Sequence, residues 1–142
     1  MKREQIVAEA VNALLGAYLV RDADGENRPL PYNPLDYQVL RFVERHPASR
    51  ATDIAASVRV AATTMQSSLD RLVRQGLLAK APSPTDGRAR LYTLTGEGQR
   101  IRDAIRKGDE RNMAAILAAL EDNEAETLAH LMQKVARALT DG

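Results

Sequence analysis

Between Ala51 and Gly76 the sequence spells two short amphipathic helices separated by a link of only three residues, Val58-Arg59-Val60. Over Ala51–Val58 the residues Ile54, Ala55 and Val58 return at helical spacing, and over Ala61–Gln75 Met65, Leu69, Leu72 and Val73 do the same. Gly76 then supplies the residue type that closes a helix in the left-handed conformation. A link this short admits neither a strand nor a crossover, so the helices must cross directly and bury their apolar sides together. A helix-turn-helix meets that condition.

The segments on either side fit the same unit. Leu77-Leu78-Ala79-Lys80 and Leu91-Tyr92-Thr93-Leu94 read as short strands around a turn-rich loop from Pro82 to Arg90, with Asp86-Gly87 as the turn signal and Arg88 and Arg90 beside it. Upstream, Asn33 before Pro34 starts a helix over about 35–46 whose apolar stripe is Leu35, Val39, Leu40 and Val43, ended by Pro47. An earlier helix over Arg3–Val20 places Ile6, Val7, Ala10, Val11, Leu14 and Leu15 on one buried face. Residues 22–34, with three prolines and a glycine, separate the two as a loop. Downstream, Thr95 caps a long helix running through Ile101, Ile105, Met113, Ile116, Leu117 and Leu120, with Gly108 as its weak point. Residues 121–124 break that pattern and cap a last helix with Leu128, Leu131, Val135 and Leu139 inward.

Charge is informative only when resolved along the chain. The total is +1, yet residues 41–106 hold twelve Lys and Arg against six Asp and Glu, a net +6, while residues 1–40 carry −2 and 107–142 carry −3. A basic middle between acidic ends suits a chain whose centre faces an anion and whose ends do something else.

From Leu35 to Gly98 the chain resembles the winged helix-turn-helix of the multiple-antibiotic-resistance regulator (MarR) family. The resemblance rests on Leu40 with Phe42, Asp53-Ile54-Ala55, Leu69-Asp70-Arg71-Leu72, Gly76-Leu77-Leu78, the wing Asp86-Gly87-Arg88-Ala89-Arg90, and Leu94-Thr95 before Gly98, in the family's order and spacing. The sequence departs from the common pattern at Arg59, where glycine is usual, at Ala61-Ala62, where Ser-Pro often opens the recognition helix, and at Ser67, where Arg is frequent. The implied fold is mainly α with a small two-stranded β wing, a winged helix-turn-helix flanked by N- and C-terminal dimerisation helices. The implied layout is 1–34 for the N-terminal dimerisation helix and loop, 35–98 for the DNA-binding region and 99–142 for the C-terminal dimerisation helices, all within one structural domain.

The expected function is that of a homodimeric, sequence-specific regulator of transcription on double-stranded DNA, a repressor released by a small-molecule effector. On a helical wheel the second helix turns Thr63, Gln66, Ser67, Asp70 and Arg74 away from its apolar side. Gln66 suits adenine edges; Thr63, Thr64 and Ser67 suit bases or phosphates; Arg71 and Arg74 suit backbone phosphates. Arg88 and Arg90 are placed for a phosphate or a narrow minor groove. Asp70 is a further candidate, as a partner for a wing arginine. Ile6, Ala10, Leu14, Ile116, Leu120, Leu128, Leu131, Val135 and Leu139 are the candidate dimer interface, some of them serving the intrachain core instead. Two recognition helices about 34 Å apart imply an inverted repeat in the DNA. The resemblance also implies a cleft for a small aromatic or phenolic effector, with Tyr18, Arg21, Tyr37 and His46 as candidates. The alternatives are a winged-helix protein-interaction module and a DNA-binding protein that needs no effector.

Other classes are disfavoured. With no cysteine, a thiolate metal site and a cysteine nucleophile are excluded, and the two histidines, His46 and His130, show no metal-ligand spacing. No Gly-rich phosphate loop or nucleophile elbow is present, so neither an enzyme nor a cofactor or metal is expected. The longest apolar run, Met113 to Leu120, is too short to span a bilayer, and no secretory signal is visible; a cytoplasmic location without membrane contact is the expectation.

Overall fold

The computed structural model describes residues 1–23 and 33–140, with side chains for all of these except 18–23. The elements are α1 (Arg3–Ala23), α2 (Pro34–Arg45), β1 (Ser49–Arg50), α3 (Ala51–Val58), α4 (Ala62–Arg74), β2 (Leu78–Pro82), β3 (Arg90–Leu94), α5 (Gly96–Leu117) and α6 (Asp122–Thr140). They fall into two compact units, residues 1–107 and 108–142, and α5 runs from the first into the second.

In the first unit each helix start has a local cause. The side chain of Asn33 accepts from the Asp36 amide at 2.9 Å and Pro34 follows it, so α2 begins where the cap signal lies. Thr95 caps α5 by accepting from the Gly98 amide at 3.0 Å, and its own hydroxyl donates to the Gly76 carbonyl at 2.6 Å. Gly76 itself ends the α4 segment at φ +77°. The first turn of α5 sits so close to the preceding chain that a Cβ on Gly98 would lie 2.1 Å from the Leu77 carbonyl oxygen. Only glycine allows that approach.

The core joins these elements. Val39, Leu40 and Val43 from α2, Ile54 and Ala55 from α3, Met65, Leu69 and Leu72 from α4, Leu77, Leu78 and Tyr92 around the sheet, and Ile101 and Ile105 from α5 are all buried. Truncating one such leucine to alanine typically costs about 2–5 kcal/mol. The helical periods of α2, α3 and α4 therefore describe one shared interior.

The sheet has three antiparallel strands in the order β1-β3-β2, one more than the two-stranded wing expected. β1 is only Ser49 and Arg50, paired with Tyr92 and Leu91. Its existence depends on a partner about forty residues away, so no local alternation announces it. Both wing strands also reach further than their sequence signals, with Pro82 paired to Arg90 at the far end.

A polar clamp fastens α2 to α5. Glu44 accepts from Arg106 at 2.6 Å, from Gln99 at 2.7 Å and from Arg102 at 3.3 Å. Burial opposes its charge, but these donors and the two positive charges outweigh it and lower its pKa from 4.5 to about 2. A lowered carboxylate pKa stabilises the fold above its unfolded value and ceases to do so as pH falls through the folded one. The parent should therefore be more stable than Glu44→Gln at pH 7, with the gap closing between about pH 4.5 and about pH 2. Urea midpoints across that range check this; a pH-independent gap would reject it.

The terminal helices behave differently from α2–α4. On α1, Ile6, Val7, Val11, Leu14 and Leu15 are exposed, as are Leu131, Met132, Val135 and Leu139 on α6. Their stripes exist as the spacing implies, yet within one chain they are not the buried, inward faces expected. Ile116, Leu120 and Leu128 are partly covered. α6 starts as anticipated, with the Glu124 carboxylate accepting from the Glu121 amide at 2.9 Å.

Candidate nucleic-acid interface

The turn between α3 and α4 centres on Arg59, which adopts φ 57° and ψ 47°, the left-handed conformation for which glycine would be usual. Its amide and that of Val60 return to carbonyls of α3, at 3.3 Å on Ala56 and 3.2 Å on Ala55. The sharp turn is thus made without glycine. At the next helix start Ala61 has the extended backbone of an N-cap and no side chain to serve as one.

α4 buries Met65, Ser68, Leu69 and Leu72 and leaves Thr63, Thr64, Gln66, Ser67 and Arg74 exposed. Five of the residues singled out on this helix thus share an accessible surface. Arg71 does not join them: its guanidinium is ion-paired with Asp36 on α2. Asp36 is 2% exposed and also accepts from the Ser68 hydroxyl at 2.8 Å. Arg71 thus holds α4 against α2 through one guanidinium nitrogen, while its side chain remains 37% exposed. Helical spacing puts Ser68 on the same side as Met65, Leu69 and Leu72, but its hydroxyl is not apolar and nothing local connects it to Asp36, so sequence reasoning missed both.

Gln66 is held as well. Its amide nitrogen donates to Asp70 Oδ1 at 2.9 Å and to the Tyr92 hydroxyl at 3.3 Å, which joins α4 to β3. Asp70 thus pairs within its own helix rather than with a wing arginine. Tyr92 carried no signal for this role, being a strand residue 26 positions away.

At the wing tip, Ser83 is buried and its hydroxyl gathers the amides of Thr85 and Asp86, each at 3.3 Å. Asp86 accepts from the Arg88 amide at 3.1 Å and lies 3.9 Å from Arg50, an ion pair that steadies the tip from β1. Arg90 folds back, donating to the carbonyls of Gly87 at 3.1 Å and Ala89 at 3.4 Å. The Arg88 and Arg74 side chains are exposed and have no carboxylate partner among the described residues. Several central arginines already have carboxylate partners: Arg102 and Arg106 share Glu44, with Asp103 also on Arg106, Arg100 pairs with Glu97, and Arg71 with Asp36. What remains of the basic excess thus includes the end of α4 and the wing tip.

The effector candidates are not gathered in the same way. Tyr37 is half-buried against the core near the start of α2, and His46 is exposed at its end with its ring 4.5 Å from that of Phe42. Nine residues of helix put about 14 Å of axial rise between them. The side chains of Tyr18 and Arg21 lie outside the described residues. Among the described residues no cluster of His, Asp or Glu could hold a metal ion, and no helix is long and apolar enough to cross a membrane.

Comparison with known proteins agrees with this architecture. Residues 30–89 match the model of the MarR family. The HTH-type transcriptional repressor MdtR of Bacillus subtilis is 28% identical over 105 residues, covering 74% of this chain and 68% of that protein. The PcaV transcriptional regulator of Streptomyces coelicolor, solved with its natural ligand, is 26% identical with a TM-score of 0.68, covering 93% of this chain and 92% of that one. A MarR family protein from Bacillus stearothermophilus shares the fold at 20% identity and a TM-score of 0.77, covering 99% of both chains. The chain thus has the fold of MarR family winged-helix proteins over nearly its whole length, and its residues 30–89 are similar to that family's model.

Proposed function

We propose that the chain acts as a homodimer that binds inverted repeats in duplex DNA, with Thr63, Thr64, Gln66, Ser67 and Arg74 of α4 in the major groove and Arg88 and Arg90 of the wing on the backbone or minor groove. The observation that carries this reading is the exposed polar face of α4, fixed to the core by Asp36 and Ser68 and to β3 by Gln66, beside a stiffened basic tip. Preorganised donors lose little freedom on docking. Arg71 enters the reading as the residue that orients α4. The exposed apolar stripes of α1 and α6 serve the second subunit. MdtR, a repressor, and PcaV, which has a natural ligand, support repression relieved by a small molecule.

Changing Arg88 and Arg90 together to alanine tests the wing. Binding should weaken on most duplex sequences, and the slope of log affinity against log salt should flatten by about one unit for each phosphate that is no longer neutralised. An unchanged slope would remove the wing from the interface. Salt-insensitive capture of a protein instead of DNA would favour the interaction-module alternative.

A further inference from the structure

The two hydrogen bonds on Gln66 fix which end of its amide is presented outward. A carboxylate oxygen can only accept, so the group 2.9 Å from Asp70 Oδ1 must be the amide nitrogen. The same nitrogen faces the Tyr92 hydroxyl at 3.3 Å. Both amide hydrogens are thereby taken up by protein acceptors at the surface of α4, and the carbonyl oxygen is left for the groove. Asp70 is half-buried beside it and adds only acceptor capacity.

A free glutamine pairs with adenine through two bonds, donating to N7 and accepting from the N6 amine. With its donors engaged, Gln66 retains only the second. The exocyclic amines of adenine and of cytosine both offer a donor in the major groove, whereas guanine and thymine present acceptors on the corresponding edge. Resting on the duplex-DNA reading above, we infer that Asp70 and Tyr92 are specificity-determining positioning residues: they restrict Gln66 to an acceptor, so it distinguishes adenine or cytosine from guanine or thymine on the strand it touches. This replaces the adenine preference expected from the residue type alone.

The test uses the full-length protein and duplexes carrying each of the four base pairs at the position whose preference is lost in Gln66→Ala. The parent should bind adenine and cytosine within about twofold of each other and both about tenfold better than guanine and thymine. In the double variant Asp70→Ala with Tyr92→Phe the freed nitrogen should add the N7 contact and raise adenine over cytosine by about fivefold or more. Asp70→Ala alone, at a half-buried site, should move the ratio the same way if the double variant does not fold. Loss of the Asp70 charge should raise affinity for all duplexes alike, so the adenine-to-cytosine ratio reports orientation separately from electrostatics. A parent that already favours adenine over cytosine tenfold, or a ratio unmoved in the variants, overturns the inference while leaving the DNA-binding reading intact. Absence of preference at every position overturns both.

Discussion

Replacing Arg71 with methionine is expected to lower the unfolding free energy by about 3–5 kcal/mol, because it leaves the carboxylate of Asp36 buried without its counter-charge. Asp36 is 2% exposed, and its remaining side-chain partner in α4 is the Ser68 hydroxyl at 2.8 Å. Methionine keeps most of the apolar stem, so the loss reports the charge and the hydrogen bond rather than packing. Against a total stability on the order of 5–15 kcal/mol, this is a large share of what holds the domain folded. Adding Asp36→Asn to the variant should recover part of the loss, since the uncompensated charge is then gone. A double-mutant cycle in urea should give a coupling of about 1 kcal/mol or more. A loss below about 1 kcal/mol would mean that water serves Asp36 as well as Arg71 does. The consequence for DNA binding is indirect: a variant still folded at low temperature should bind less tightly to its preferred sequence because α4 is less well fixed to α2.

Changing Leu131 and Val135 together to aspartate should convert a dimer to a monomer and weaken DNA binding by on the order of 10²- to 10⁴-fold. The two lie one helical turn apart on α6 and are 50% and 58% exposed in the single chain. Substitutions at positions this open usually change the stability of a single chain by about 0.5 kcal/mol or less. Across a subunit interface each would be a buried, unpaired charge costing several kcal/mol. Without the second half-site the gain from linked binding disappears, which sets the scale of the affinity change. Sedimentation or light scattering reads the first effect and titration with a two-half-site duplex the second. A variant that stays dimeric would place the interface elsewhere; one that becomes monomeric yet binds unchanged would contradict the two-half-site reading.

How much of this was legible in the sequence depended on the range of the interaction. Local signals served well: Asn33 before Pro34, Thr95 three residues before Gly98, and Gly76 after the α4 pattern all mark ends made by bonds within a few residues. The stripes on α2, α3 and α4 identified the core because each amphipathic face has one buried side. Interactions set by tertiary approach were not visible. β1 is two residues long and exists through β3, and Arg71 finds Asp36 across 35 positions. The second partner of the Gln66 amide nitrogen, Tyr92, is brought close only by the packing of the sheet on α4. On α1 and α6 periodicity revealed an apolar face, but hydrophobic patterning alone does not say whether its partner lies in the same chain or in a second copy.

Selection of bound duplexes from a random pool tests the central claim most directly. Two α4 helices related by a dimer axis should enrich an inverted repeat with half-site centres about 10–10.5 base pairs apart, or a multiple of that spacing. A pool that emerges with no enriched sequence, or with a single unrepeated site, would contradict the account.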